Sequence, residues 1–164
     1  MVDPIDQLTE IMVEAREPRY VSPTRRDQIG RIWAPVMING RGPFRLVLDT
    51  GASSTTLQVE YAQRLFMFPL GDAQTPLSGI LNGVSSLKVY RHFFQSLAFG
   101  GVTIRNLPVA LIPDAMGRGG DPNRTQSALT GAAPKMIIGM DVLRHMHIYL
   151  AFKDKKMYAA PATP

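Results

Sequence analysis

Between Ile32 and Pro113 the apolar residues come in short runs, most of them stopped by glycine, asparagine or proline before reaching helical length. This spacing constrains the fold more than any other feature, because a strand needs about 5–6 residues and a typical helix about twice as many. "RIWAPVMING" (31–40) is an apolar run closed by Asn39-Gly40, and "FRLVLD" (44–49) is a second. Together they predict a hairpin around "NGRGP", with a turn of two residues or more. Further strand-forming runs stand near 84–91, 92–99, 102–104 and 107–112. "VEYAQRLFM" has the length of a single short helix, stopped by Pro69 and Gly71. The C-terminal part, "KMIIGMDVLRHMHIYLAFKDKKMYAA", predicts an apolar strand into Gly139, a helical turn or two from Asp141 to about His145, and a hairpin about "KDKK". The expectation is an all-β domain with a short C-terminal helix and no internal repeat.

At the N-terminus, Asp3-Pro4 has the form of a helix start, and Ile5, Leu8, Ile11, Met12 and Ala15 recur at helical spacing. An added N-terminal helix ending by Pro18 is therefore expected, followed by an extended arm from Arg19 to Arg31. Residues 114–134 are polar and rich in Gly, Pro and Ala, the composition of a long loop. With 164 residues one domain is expected. The chain divides into a helix and arm (1–30), a main domain (31–160) and a tail or start of a linker (161–164).

Several chemistries are excluded or disfavoured by composition. The chain has no cysteine, so disulfides, thiolate catalysis and Cys-based metal sites are ruled out. His145 and His147 lack a third ligand at a recognisable spacing, so no metal and no other cofactor is expected. The net charge of +5 is spread thinly, its densest groups being "TRR" (24–26) and "KDKK" (153–156). Without a groove-reading motif or interleaved aromatics, a solvated basic surface is expected rather than nucleic-acid binding. No apolar run reaches the roughly 18 residues of a membrane span, and the basic-then-apolar pattern of a signal peptide is missing.

The chemistry-bearing stretch is "FRLVLDTGASSTT" (44–56), where Asp49 stands at the end of an apolar run with Thr50 and Gly51 behind it. Asp-Thr-Gly after a strand is an ordinary turn in most proteins that contain it. Here it follows a hairpin, precedes a glycine-containing segment thirty residues on, "SGILNG", and is matched near the C-terminus by "IIGMDVL". In this arrangement the chain resembles the retropepsin-like aspartic proteases from about Arg31 to Ala160. The resemblance implies a retropepsin-like acid protease barrel, with Asp49 as the catalytic carboxylate of an aspartic endopeptidase. Thr50, Gly51 and Ala52 complete the family's loop. Ile137, Ile138 and Gly139 match the apolar pair and glycine that pack behind it. Ser78, Gly79, Ile80, Leu81, Asn82 and Gly83 lie where the family carries its substrate-covering flap.

Hydrolysis in this family needs two carboxylates, and the chain has one Asp-Thr-Gly. Asp141 lacks the Thr-Gly that follows a catalytic aspartate and stands where a helix begins, a place where a negative charge is stabilised by the helix dipole. The second carboxylate is expected from another segment: Asp49 of a second copy in a homodimer, or a second similar domain after "AAPATP". Ala52, where pepsin-like enzymes carry serine, offers no hydroxyl to the aspartate, which implies an optimum in the mildly acidic to neutral range. Apolar Ile80 and Leu81 suggest apolar substrate side chains on a polypeptide substrate. The other functional class is a peptide-binding module that holds an extended peptide by strand addition without turnover. Bacterial relatives of this type are often exported or membrane-anchored, which implies the periplasm or cell envelope.

Overall fold

The computed structural model describes residues 12–15, 21–23, 25–26, 31–80, 87–99, 101–113 and 134–162, the first three segments by backbone alone. The hairpin forms as expected from β4 (Ile32–Ile38) and β5 (Arg41–Leu48). Its turn has two residues, since Ile38 pairs with Arg41. Asn39 and Gly40 both have positive φ, 49° and 73°. A two-residue turn must twist that way to match its strands, and Asn-Gly tolerates it best.

After β5 come β6 (Thr56–Gln58), α1 (Val59–Phe66), β7 (Leu77–Ile80), β8 (Lys88–Phe99) and β9 (Val102–Ile112). Then follow β10 (Met136–Ile138), α2 (Met140–Leu143), β11 (Met146–Ala151) and β12 (Lys156–Pro161). Strand β4 pairs with β5, β5 with β10, β10 with β6, β6 with β9 and β9 with β8. Met37 and Ile38 of β4 return to Ala98 and Leu97 of β8, so six strands close into a barrel. Closure leaves no free edge among these six over their paired residues. Every strand sends its alternate apolar residues inward: Ala34, Val36 and Ile38 from β4, Leu46 from β5, Leu57 from β6, and Phe94 with Leu97 from β8 are each at most 2% exposed.

The runs read from sequence as 92–99 and the end of 84–91 are one strand, β8, and those at 102–104 and 107–112 are one strand, β9; residues 84–86 lie outside the described segments. The pair keeps a single register throughout. What changes is the inward face. Buried positions step from 92 and 94 to 97 and 99 in β8, and from 102 and 104 to 107, 109 and 111 in β9. Both switches fall at Gln95 and Asn106, where Asn106 has φ of 53°. A period-two pattern broken in this way reads as two strands although the backbone does not turn.

The N-terminal helix is corrected in part. Met12–Ala15 is a strand, β1, paired antiparallel with Arg105–Val102 of β9, and residues 1–11 lie outside the described segments. Apolar residues at helical spacing are overridden there by an open ladder on β9. In the arm, β2 (Val21–Pro23) joins β11 and β12 in a three-stranded sheet, and β3 (Arg25–Arg26) pairs with β4. The loop expected at 114–134 falls outside the described residues up to 133. Among the described residues no helix is long and apolar enough to cross a membrane.

Candidate active site

Asp49 is where β5 leaves the barrel. Leu46 and Val47 are buried, Leu48 and Asp49 are half-buried, and Thr50 and Gly51 are exposed. β10 runs parallel to β5, pairing Ile137 with Val47 and Ile138 with Leu48. The ladder continues one step further, as the Asp49 N–H donates to the Ile138 carbonyl at 3.0 Å. The loop then closes on itself: Ala52 N–H donates to the Asp49 carbonyl at 3.2 Å, and Gly51 N–H donates to Asp49 Oδ1 at 2.8 Å. Among the described residues this N–H is the one donor that reaches the Asp49 carboxylate. A Cβ on Gly51 would stand 3.2 Å from the same oxygen.

β10 and α2 fasten the loop along its length. Met140 N–H donates to the Ala52 carbonyl at 2.8 Å and Asp141 N–H to the Ser53 carbonyl at 3.1 Å. Such backbone contacts require the two segments to touch, and they do so at Gly139. A Cβ there would lie 2.6 Å from both C and O of Ser54 and 2.9 Å from the Ala52 carbonyl oxygen. No side chain fits that crossing, which is why the apolar pair Ile137-Ile138 ends in glycine.

Asp141 is consumed inside the chain. Its Oδ1 accepts from Thr55 Oγ1 at 2.8 Å and from Val142 N–H at 2.9 Å, and its Oδ2 accepts from Thr55 N–H at 2.8 Å. Thr55 is fully buried, and its hydroxyl oxygen also accepts from Gly139 N–H at 3.2 Å. One threonine therefore ties the far end of the Asp49 loop to both the crossing glycine and the helix start. Asp141 was recognisable as a helix-start residue, but Thr55 was not distinguishable from the other hydroxyls of "ASSTT". Its partner is 86 residues away, and no local pattern marks such a pair.

The flap segment is split by what is described. Ser78, Gly79 and Ile80 belong to β7, whose Leu77, Gly79 and Ile80 pair with Tyr90, Val89 and Lys88 of β8. Leu77 and Ile80 are each about half exposed. Leu81, Asn82 and Gly83 lie outside the described residues. The base of this hairpin is held by Arg91 N–H, which donates to the Pro76 carbonyl at 3.1 Å. Arg91 also lines a cavity of about 360 Å³ together with Ser53, Ser54, Thr55 and Asp141, so the flap base stands beside the Asp49 loop.

A second cavity, about 600 Å³, includes Asn39 and Arg41 at the hairpin tip and Phe66, Phe68, His92 and Phe94 in its wall. None of the expected site residues lines it. The His92 ring stacks on Phe68 at 4.1 Å, and its Nδ1 is 2.8 Å from Thr75 Oγ1. Burial pushes the imidazole below its ordinary value of 6.5, opposed by the negative charge of Asp72 and a hydrogen bond with the Gln74 backbone. Elsewhere His145 Nε2 is 3.1 Å from Arg144 Nε. Among the described residues no group of three His, Asp or Glu side chains is placed to hold a metal ion.

A family model for aspartyl proteases matches residues 34–142, which include the barrel from β4 onward, the Asp49 loop and the start of α2. The fold is similar to a retropepsin-like aspartic protease from Rickettsia conorii, with a TM-score of 0.55 and 18% identity over 93% of this chain and 98% of that one. It is also matched with the retroviral protease-like domain of Ddi1 from Leishmania major, with a TM-score of 0.49 and 18% identity over 79% of this chain and 93% of that one. No curated protein sequence matches the chain.

Proposed function

The chain belongs to the aspartyl protease family, and from that premise we propose that it is an endopeptidase whose active site is assembled from two copies, each contributing Asp49. The observation that carries the proposal is the state of the two aspartates. Asp141 has both oxygens engaged by Thr55 and Val142, which holds it as a structural carboxylate. The Asp49 carboxylate accepts one internal hydrogen bond and stands, half-buried, next to exposed Thr50 and Gly51. A two-fold axis beside that loop places like against like.

The chemistry follows from the pairing. Two carboxylates about 3 Å apart cannot both ionise, so the pair shares one proton, as aspartic proteases do generally. The ionised Asp49 takes a proton from water while the water oxygen bonds to the scissile carbonyl carbon. The protonated Asp49 of the other copy donates to the carbonyl oxygen, giving a neutral gem-diol. Collapse returns a hydroxyl proton to one carboxylate and passes the other carboxyl's proton to the departing nitrogen. The C–N bond breaks, leaving a carboxyl and an amine, and the dyad again holds one proton.

In this reading exposed Thr50 braces its counterpart across the axis, and the exposed Ile80 on β7 meets an apolar substrate side chain. The test pairs sedimentation with cleavage of an unstructured polypeptide by wild type and Asp49→Asn. A dimer that cleaves, and a variant dimer that does not, are expected. Cleavage retained in Asp49→Asn would remove the proposal, and a substrate bound but never cut by wild type would favour a peptide-binding module.

A further inference from the structure

The 360 Å³ cavity beside the Asp49 loop combines an apolar floor of Pro108, Ala110 and Met140 with polar and charged side chains. Ser53 and Ser54 are exposed on one wall, directly following the loop's Ala52. Arg91 stands on another, half-buried on β8 where β7 is about to branch from it, and Arg144 closes the side at the end of α2. The cavity is lined by the residues that directly follow the Asp49 loop and by Arg91, whose N–H holds the flap base at the Pro76 carbonyl, so an extended peptide lying between Asp49 and the flap runs beside it.

The charges in the cavity do not cancel. Asp141 lines it and keeps its negative charge, held by hydrogen bonds from Thr55 and Val142, but one carboxylate against two guanidiniums leaves a positive surplus. Neither guanidinium has an ion-pair partner among the described residues; Arg144 offers its Nε to His145 and keeps its terminal nitrogens free of carboxylates. Two guanidinium forks and two hydroxyls are thus donors without a committed acceptor, the arrangement that takes a planar anion. We propose that this cavity is a specificity pocket for an acidic side chain of the substrate, its carboxylate held by Arg91 and Arg144 with Ser53 or Ser54. The inference rests on the protease reading above and adds to it a substrate class: an extended peptide with one acidic residue flanking apolar ones. The chain's net charge of +5 steers such peptides toward it.

The test uses peptide pairs that differ only in Glu or Gln, scanned through each position on both sides of the scissile bond. Wild type, Arg91→Gln, Arg144→Gln and the double variant are assayed for kcat/KM. The labelled pairs are also titrated by fluorescence anisotropy against each protein carrying Asp49→Asn. At one position the wild type is expected to favour Glu by roughly tenfold, the effect of one or two charge-assisted hydrogen bonds in a half-open site. The double variant brings that ratio to about one, and lysine at both positions restores most of it, since the charge is kept. A ratio near one at every position in wild type, or a Glu preference that survives in the double variant, overturns the proposal. Arg144 is exposed, so Arg144→Gln alone decides the matter if Arg91→Gln fails to fold. Binding needs no turnover, so a chain that cuts nothing yet binds the Glu peptide selectively through these arginines sinks the protease reading and leaves the pocket. A chain that cuts with no Glu/Gln difference does the reverse, and one that neither cuts nor binds removes both.

Discussion

Replacing Asp141 with asparagine separates a structural carboxylate from a catalytic one. The carboxylate accepts three hydrogen bonds, two from Thr55 and one from Val142, at 2.8–2.9 Å. Asparagine has one oxygen. If that oxygen takes the Oδ1 place, the amide NH2 faces the Thr55 N–H donor to donor; if it takes the Oδ2 place, Val142 N–H loses its acceptor. Either way one backbone N–H in a part-buried site is left without its side-chain acceptor, at about 1–3 kcal/mol, and the charge assistance of the remaining bonds is lost. The sum is about 2–4 kcal/mol. For a chain of this size that lowers the melting temperature by roughly 5–15 °C. Melting curves are compared at one protein concentration, since the midpoint of the proposed dimer depends on concentration, and kcat is measured well below both transitions. Asp141→Asn is expected to melt early yet keep kcat within about tenfold of wild type, because no proton passes through it. Thr55→Val is expected to be non-additive with it, as both act on one hydrogen-bond network. If Asp141→Asn leaves the melting temperature unchanged and abolishes cleavage, Asp141 is a chemical group and the argument for a second copy fails.

Three other outcomes follow from the same geometry. Gly139→Ala puts a methyl 2.6 Å from Ser54 backbone atoms, well inside a normal contact of about 3.5–4.0 Å. It should cost about 1–3 kcal/mol in urea unfolding and, by displacing the Asp49 loop by up to about 1 Å, lower kcat on the order of a hundredfold. His92 is held below its ordinary value of 6.5 by burial, so the unfolded chain binds a proton that the folded one refuses. Stability is then lost as pH falls below 6.5, and His92→Gln should flatten that part of the stability–pH curve relative to wild type; equal slopes in the two proteins would contradict it. Phe94 is fully buried between Phe66 and His92, and Phe94→Ala should cost about 3–5 kcal/mol by calorimetry.

Much of the fold was legible because turn chemistry is local. Asn39-Gly40 announces its hairpin, and Pro69 with Gly71 follows the end of α1. What escaped was set by distant partners. The helical spacing of Met12 and Ala15 gave no warning that β9 offers them a ladder, and Asn106 in "RNLP" marks a switch of face inside one strand, where the sequence suggested a break. At the site, Asp49 was legible from its strand and its Thr-Gly, and the glycine at 139 from the apolar pair before it. Thr55 was not, since its hydrogen bonds to Asp141 span most of the chain. The pocket formed by Ser53, Arg91 and Arg144 draws on three separate segments, and only the closed barrel brings them together.

The central claim is that one active site takes Asp49 from two chains, and subunit mixing tests it directly. Wild type and Asp49→Asn are combined at constant total concentration, allowed to exchange, and assayed across the full range of composition. If each site needs two aspartates, activity follows the square of the wild-type fraction, so an equal mixture retains about one quarter of the wild-type rate. Activity that falls in direct proportion, leaving about one half, would mean that each chain carries a complete site and would contradict the account.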